Sequence, residues 1–130
     1  MEGSGKIKIM IVDDDKFLLD MYSRKFLQNN WDAVVCVGAD ECLEKLRTGY
    51  RPDILVLDLI MPKMDGLTLF KKIQEEKLSP GSKNVILTNQ GQQSDLDKVR
   101  GLGIDGYIIK ALYTPSEAVE KIKEIFNKKK

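Results

Sequence analysis

Four places along this chain set a chemically useful residue at the end of a short apolar run. Asp13, Asp14 and Asp15 follow the run that ends at Val12, Asp58 follows Leu57, Thr88 follows Leu87, and Lys110 follows Ile109. An aspartate in such a place serves equally well as a turn or cap residue, and Asp15 has the position of a helix N-cap. If the runs are strands of one sheet, however, the carboxylates, the hydroxyl and the ammonium share one rim. Clustered carboxylates repel and raise one another's pKa unless a cation is present. A site of Asp13, Asp14 and Asp58 is then either partly protonated or built for a metal, and all-oxygen donors select a hard ion such as Mg²⁺. The chain has no histidine, which removes Ser-His-Asp and Cys-His catalysis, a histidine general base and His-ligated zinc.

The elements that would position these residues alternate. Ile7 to Val12, Ala33 to Val37, Ile54 to Leu57, Val85 to Leu87 and Tyr107 to Ile109 are near-continuous Val/Ile/Leu runs, the pattern of strands buried on both faces. Helical spacing lies between and after them. Leu18, Leu19, Tyr22 and Phe26 mark the first helix, Leu43 and Leu46 the second, and Leu67, Phe70 and Ile73 the third. Leu96, Val99 and Leu102 mark the fourth, and Ala118, Val119, Ile122, Ile125 and Phe126 the fifth. Asp40 and Ser94 are expected N-caps, Gly49 and Gly103 follow helices, and Pro115 suits a first helical turn. The alternation predicts an α/β fold with a parallel sheet, helices on both faces and right-handed crossovers. Ligands of such sheets bind beyond the carboxyl ends of the strands, where the four places collect. The second strand carries nothing polar at its end, which predicts an edge position.

The 130 residues suffice for one domain with a real core, since 42% are hydrophobic against 32% charged. Lys and Arg number 21 and Asp and Glu 20, so no net field favours nucleic acid or a membrane as partner. No apolar run approaches a bilayer span and no signal peptide is visible, so the expected location is cytoplasmic. Cys36 and Cys42 fit neither a disulfide framework nor a zinc site and read as buried free thiols, and Trp31 reads as a packing residue. Residues 1–5 read as a flexible leader, 6–127 as the domain and 128–130 as a solvated basic tail.

Val12-Asp13-Asp14-Asp15, the stretch Asp58-Leu59-Ile60-Met61-Pro62-Lys63-Met64-Asp65-Gly66, Thr88 and Lys110 together resemble the receiver domain of two-component response regulators. The resemblance covers about residues 6 to 127. It implies a CheY-like, flavodoxin-like (βα)₅ sandwich with strand order 2-1-3-4-5. It implies that Asp58 is the phosphoacceptor, that Asp14, Asp58 and the Ile60 carbonyl bind Mg²⁺ directly, and that Asp13 does so through water. It also implies that Thr88 and Lys110 contact the phosphoryl group and that Tyr107 moves with Thr88. The implied donor is a phosphohistidine on a histidine kinase or phosphotransfer protein. The implied readout is a downstream protein on the face of the fourth helix, fifth strand and fifth helix, with homodimerisation on activation. Such a domain is a switch, not an enzyme acting on other substrates.

Three alternatives fit less well. A pseudo-receiver would lack the acceptor, the lysine or the acidic pair. A phosphohydrolase resembling the haloacid dehalogenase family would carry a second Asp two residues after the nucleophile, where Ile60 stands. An FMN carrier would need a hydroxyl-rich phosphate loop where this chain has three aspartates. Departures from the receiver pattern are Ala111 where proline is usual, Asn89 where a small residue is common, and Ile60 where polar residues are common. Without proline, the Lys110–Ala111 bond is expected to be trans, because a cis bond there costs about 2.5–4 kcal/mol.

Overall fold

The computed structural model describes residues 5–89, 97–99 and 101–128. Five strands, β1 (Lys8–Asp13), β2 (Asp32–Val37), β3 (Ile54–Leu57), β4 (Lys83–Thr88) and β5 (Gly106–Ile109), form one parallel sheet in the order β2-β1-β3-β4-β5. Helices α1 (Lys16–Gln28), α2 (Ala39–Arg47) and α3 (Gly66–Glu75) follow the first three strands, and a C-terminal helix (Pro115–Asn127) follows β5. Asp97–Val99 is helical; the expected N-cap Ser94 and the helix mark Leu96 lie outside the described residues. No described helix is long and apolar enough to cross a membrane.

Side-chain alternation explains why the strand runs are almost wholly apolar. Ile9 and Ile11 of β1, Ile54 and Val56 of β3, and Val85 and Leu87 of β4 face a core shared with Leu19, Tyr22 and Phe26 of α1 and Ala118, Val119 and Ile122 of the C-terminal helix. Met10, Val12, Leu55, Leu57 and Ile86 face the opposite core, with Cys42, Leu43 and Leu46 of α2 and Leu69, Phe70 and Ile73 of α3. A sheet covered on both sides leaves no position in its central strands for a solvated residue until the strand ends. The chemistry is therefore pushed to the rim. β2, whose end lacks polar chemistry, is an edge strand.

Local signals place most element ends. Asp15 caps α1, accepting the Phe17 and Leu18 amides at 3.0 and 3.2 Å. Asp65 caps α3 through the Thr68 amide at 2.8 Å. Thr114 and Glu117 close a reciprocal capping box ahead of the C-terminal helix, with Pro115 in its first turn. Asp40 is not the cap of α2. That helix starts at Ala39 after Gly38, whose φ of 89° turns the chain out of β2, and Asp40 lies in its first turn. A left-handed turn is open to glycine and costly to aspartate, so the backbone decided the cap.

Cys36 and Cys42 are free, both fully buried, and burial pushes the Cys36 thiol up to about 12. Trp31 is buried between Phe26 and Phe126, with ring centroids 5.2 and 5.5 Å away. No described peptide bond is cis, and the chain after Lys110 enters a 3₁₀ turn, Lys110–Leu112.

Candidate functional site

The ends of β1, β3, β4 and β5 converge on one cleft of roughly 300 Å³, lined by Asp13, Asp14, Asp15, Leu18, Asp58, Ile60, Thr88, Asn89 and Lys110. Asp13, Asp58 and Thr88 are the buried polar residues among those described, and Asp14 is exposed at the mouth.

Asp13 and Asp58 are held alike. In each, Oδ1 accepts the amide two residues on, from Asp15 at 3.0 Å and from Ile60 at 3.1 Å. Such a turn fixes the carboxylate plane and leaves Oδ2 aimed into the cleft. Both Oδ2 atoms accept from the Lys110 ammonium, at 2.6 Å for Asp13 and 3.1 Å for Asp58. Burial works against that ammonium, but its hydrogen bond to Asp13 and the charges of Asp58 and Asp13 outweigh it, and the Lys110 pKa is raised. Tyr22, under this cluster in α1, has its phenol pKa raised, first by burial, with Lys110 opposing and the aspartates adding to the rise.

The Asp58 backbone is fixed from two sides. Its amide donates to the Val12 carbonyl at 3.1 Å, and the Gly66 amide donates to the Leu59 carbonyl at 2.9 Å. A Cβ on Gly66 would collide with the Asp58 carbonyl oxygen and stand 2.8 Å from its carbonyl carbon. Glycine is thus required for α3 to start against the Asp58 loop.

Single carboxylate oxygens of Asp13, Asp14 and Asp58 lie within 4.8 Å of one another. Three hard oxygen donors, one of them open to solvent, suit a divalent ion that keeps part of its water shell. The donor set therefore fits Mg²⁺.

Thr88 ends β4 beside the cleft, fully buried. Tyr107 is half-buried, opposite Ile86 in the β4–β5 register and packed against the core of α2 and α3. All candidate site residues named from the sequence are thus at this rim or, for Tyr107, one layer behind it. Sequence reasoning missed two features. The nearer partner of Lys110 is Asp13, which no spacing signals, and Lys63 in the loop after Asp58 has φ of 71°, with no glycine or asparagine to announce it.

Residues 9–123 match the family model described as the response regulator receiver domain. The chain belongs to that family, the receivers of two-component signalling, which act as signalling switches and bind Mg²⁺ at an acidic cluster. It is 30% identical over 123 residues to the alkaline phosphatase synthesis transcriptional regulatory protein PhoP of Bacillus subtilis, covering 93% of this chain and 49% of that protein. The chain thus spans about half the length of this curated relative. Among solved structures it is similar to a CheY-like receiver domain protein from Methanospirillum hungatei, with TM-score 0.83 and 28% identity over 95% of each chain. It is also similar to the response regulator TrrA from Thermotoga maritima, described in complex with Mg²⁺ and a beryllium fluoride, with TM-score 0.75 and 25% identity over 92% of this chain and 98% of that one.

Proposed function

We propose that residues 6–127 are a phosphoacceptor switch in which Asp58 takes a phosphoryl group from a partner's phosphohistidine. The observation that carries this reading is the pair of buried carboxylates, Asp13 and Asp58, locked by their own loops and bridged by Lys110. Asp58 Oδ2 is the attacking atom. The P–N bond of the donor breaks as the P–O bond to Asp58 forms, and the imidazole, protonated on its other nitrogen, leaves as the neutral ring. Asp58 needs no base, because the transfer uses it as a carboxylate. Lys110 holds its proton throughout and pairs with the developing oxygen charge, while Thr88 offers a hydroxyl to a phosphoryl oxygen.

Asp14, Asp58 and the Ile60 carbonyl would hold Mg²⁺ directly, with Asp13 acting through water. Bound there, the ion neutralises phosphoryl oxygens that four carboxylates would otherwise repel. The partners are a cytoplasmic histidine kinase or phosphotransfer protein and a downstream protein that reads β5 and its flanking helical segments.

Incubation with phosphoramidate and Mg²⁺ is expected to add one hydroxylamine-labile phosphoryl group, and Asp58→Asn to abolish it, since an amide is a poor nucleophile. Labelling that persists at another residue of the variant rejects Asp58. Thr88 drawn toward the phosphoryl group lets Tyr107 turn inward, a new charge-assisted hydrogen bond biasing a two-state element. In a beryllofluoride titration followed by NMR, residues 88 to 112 are expected to shift most, a span that includes the undescribed residues 90–96 and 100. Changes confined to residues 38 to 50 reject this route.

A further inference from the structure

Beside the acidic cleft lies a second cavity of roughly 300 Å³, and Asp14 lines both. Its other walls include Val37 at the end of β2, Asp40 in the first turn of α2, and Pro62 and Lys63 from the loop after Asp58. Two carboxylates thus face this space, and Lys63 is the one cation in its lining among the described residues. The loop holds that lysine under strain. The Met64 amide donates to the Pro62 carbonyl at 2.8 Å, closing a three-residue turn about Lys63, whose φ is 71°. Turns of this kind are rare, and glycine is the residue that adopts them without strain. Packing does not explain the lysine. Its side chain is exposed, belongs to neither core and takes part in none of the ion pairs among the described residues. What it adds to the loop is charge, set beside the most exposed carboxylate of the acidic cluster.

We propose that Lys63 sets the Mg²⁺ affinity of the acidic cleft: its charge, acting through the cavity it shares with Asp14, weakens binding and makes it depend on salt. This rests on the reading of Asp14 as a direct ligand. The two lysines of this end of the sheet have different parts. Lys110 is buried and bonded to Asp13 and Asp58, so it belongs to the site itself. Lys63 forms no ion pair with any of the three carboxylates and acts across the intervening space. A round cavity of this volume is about 8 Å across, close to one Debye length at physiological ionic strength. At that range a single positive charge opposes a divalent ion twice as strongly as a monovalent one. In dilute buffer the opposition amounts to about a fourfold loss of affinity, and in about 0.5 M salt nearly all of it is screened away. Weaker binding keeps the ion in exchange with solution. An uncharged residue in the same turn would hold it longer.

The test is a Mg²⁺ titration of the whole chain followed by amide NMR shifts, run at about 10 mM and about 0.5 M ionic strength. In the dilute buffer Lys63→Gln is expected to bind Mg²⁺ about fourfold more tightly than wild type, and Lys63→Arg to match wild type. At the higher salt the difference between Lys63→Gln and wild type is expected to fall below about 1.5-fold. Lys63→Gly separates charge from strain, because it alone also relaxes the turn, and it is expected to match Lys63→Gln. Equal affinities of wild type and Lys63→Gln in dilute buffer overturn the proposal. So does tightening seen only in Lys63→Gly, which would make the backbone the cause. A gain that persists at high salt overturns it as well, since a screened charge cannot produce one. A different result, an Asp14→Ala chain that binds Mg²⁺ as tightly as wild type, removes the ligand reading and the role of Lys63 with it.

Discussion

At the scale of single residues, the centre of this molecule is the Lys110 ammonium between two buried carboxylates. Its side chain is 8% exposed, and those of Asp13 and Asp58 are 4% and 8% exposed. Removing the cation leaves two unpaired charges in a poorly solvated place, so Lys110→Met is expected to cost about 3 kcal/mol in urea unfolding without divalent ions. A loss below about 1 kcal/mol would show that water already screens the pair. The same geometry fixes an alkaline signature. The folded pKa of Lys110 is raised, so its stabilisation is complete below the unfolded value of ~10.4 and disappears as pH rises through the folded value. Tyr22 and Tyr50, raised first by burial, lose stability in the same direction over that range. The difference between wild type and Lys110→Met cancels Tyr50 and leaves the lysine with its influence on Tyr22, and it is expected to shrink above about pH 10.4.

At the scale of elements, the rim is a set of strand ends whose following helices must start in defined places. α3 shows the conflict between local preference and packing. Alanine is favoured over glycine in a helix by about 1 kcal/mol, so Gly66→Ala would stabilise α3 considered alone. Here the added methyl would strike the Asp58 carbonyl, which is backbone and has no other rotamer to adopt. The variant is expected to lose about 2 kcal/mol and, on the proposal that Asp58 is the acceptor, to label more slowly with phosphoramidate, because α3 can start only by pushing the Asp58 loop. A neutral or stabilised variant with full labelling would show that the loop yields freely. This scale also shows what could be read in advance. The apolar runs gave the strands and their two buried faces, and the residue after each run gave the rim. The cap Asp15 was readable because a side chain does the capping. Gly38 and Lys63 were not, since each is set by the path the backbone must take between neighbours. The preference of Lys110 for Asp13 was hidden for a related reason: it depends on how far apart the ends of β1, β3 and β5 stand, and no local signal carries that distance.

At the scale of the whole molecule, one charge cluster sets both the stability of the fold and its response to metal, with opposite signs for Asp14. Asp14 is exposed and adds a third carboxylate beside two that already share Lys110. In EDTA it contributes repulsion, weakened by solvent. Asp14→Ala is therefore expected to be more stable than wild type by only a few tenths of a kcal/mol. With Mg²⁺ the order should reverse. An ion that binds only the folded chain stabilises it by about 1.4 kcal/mol at ten times its dissociation constant. On the proposal that Asp14 is a direct ligand, Asp14→Ala should gain little at that concentration. Asp13→Ala is not an equivalent control, because it also strips Lys110 of its shorter contact and should already be destabilised in EDTA. Two urea titrations for each protein, in EDTA and in saturating Mg²⁺, check the argument. The expected result is that the wild-type and Asp14→Ala stabilities cross between the two conditions. If Asp14→Ala is clearly less stable than wild type in EDTA, Asp14 is not a source of strain in the ion-free cluster. If it keeps the full Mg²⁺ increment, Asp14 does not hold the ion, and the assignment must pass to Asp13 and Asp58.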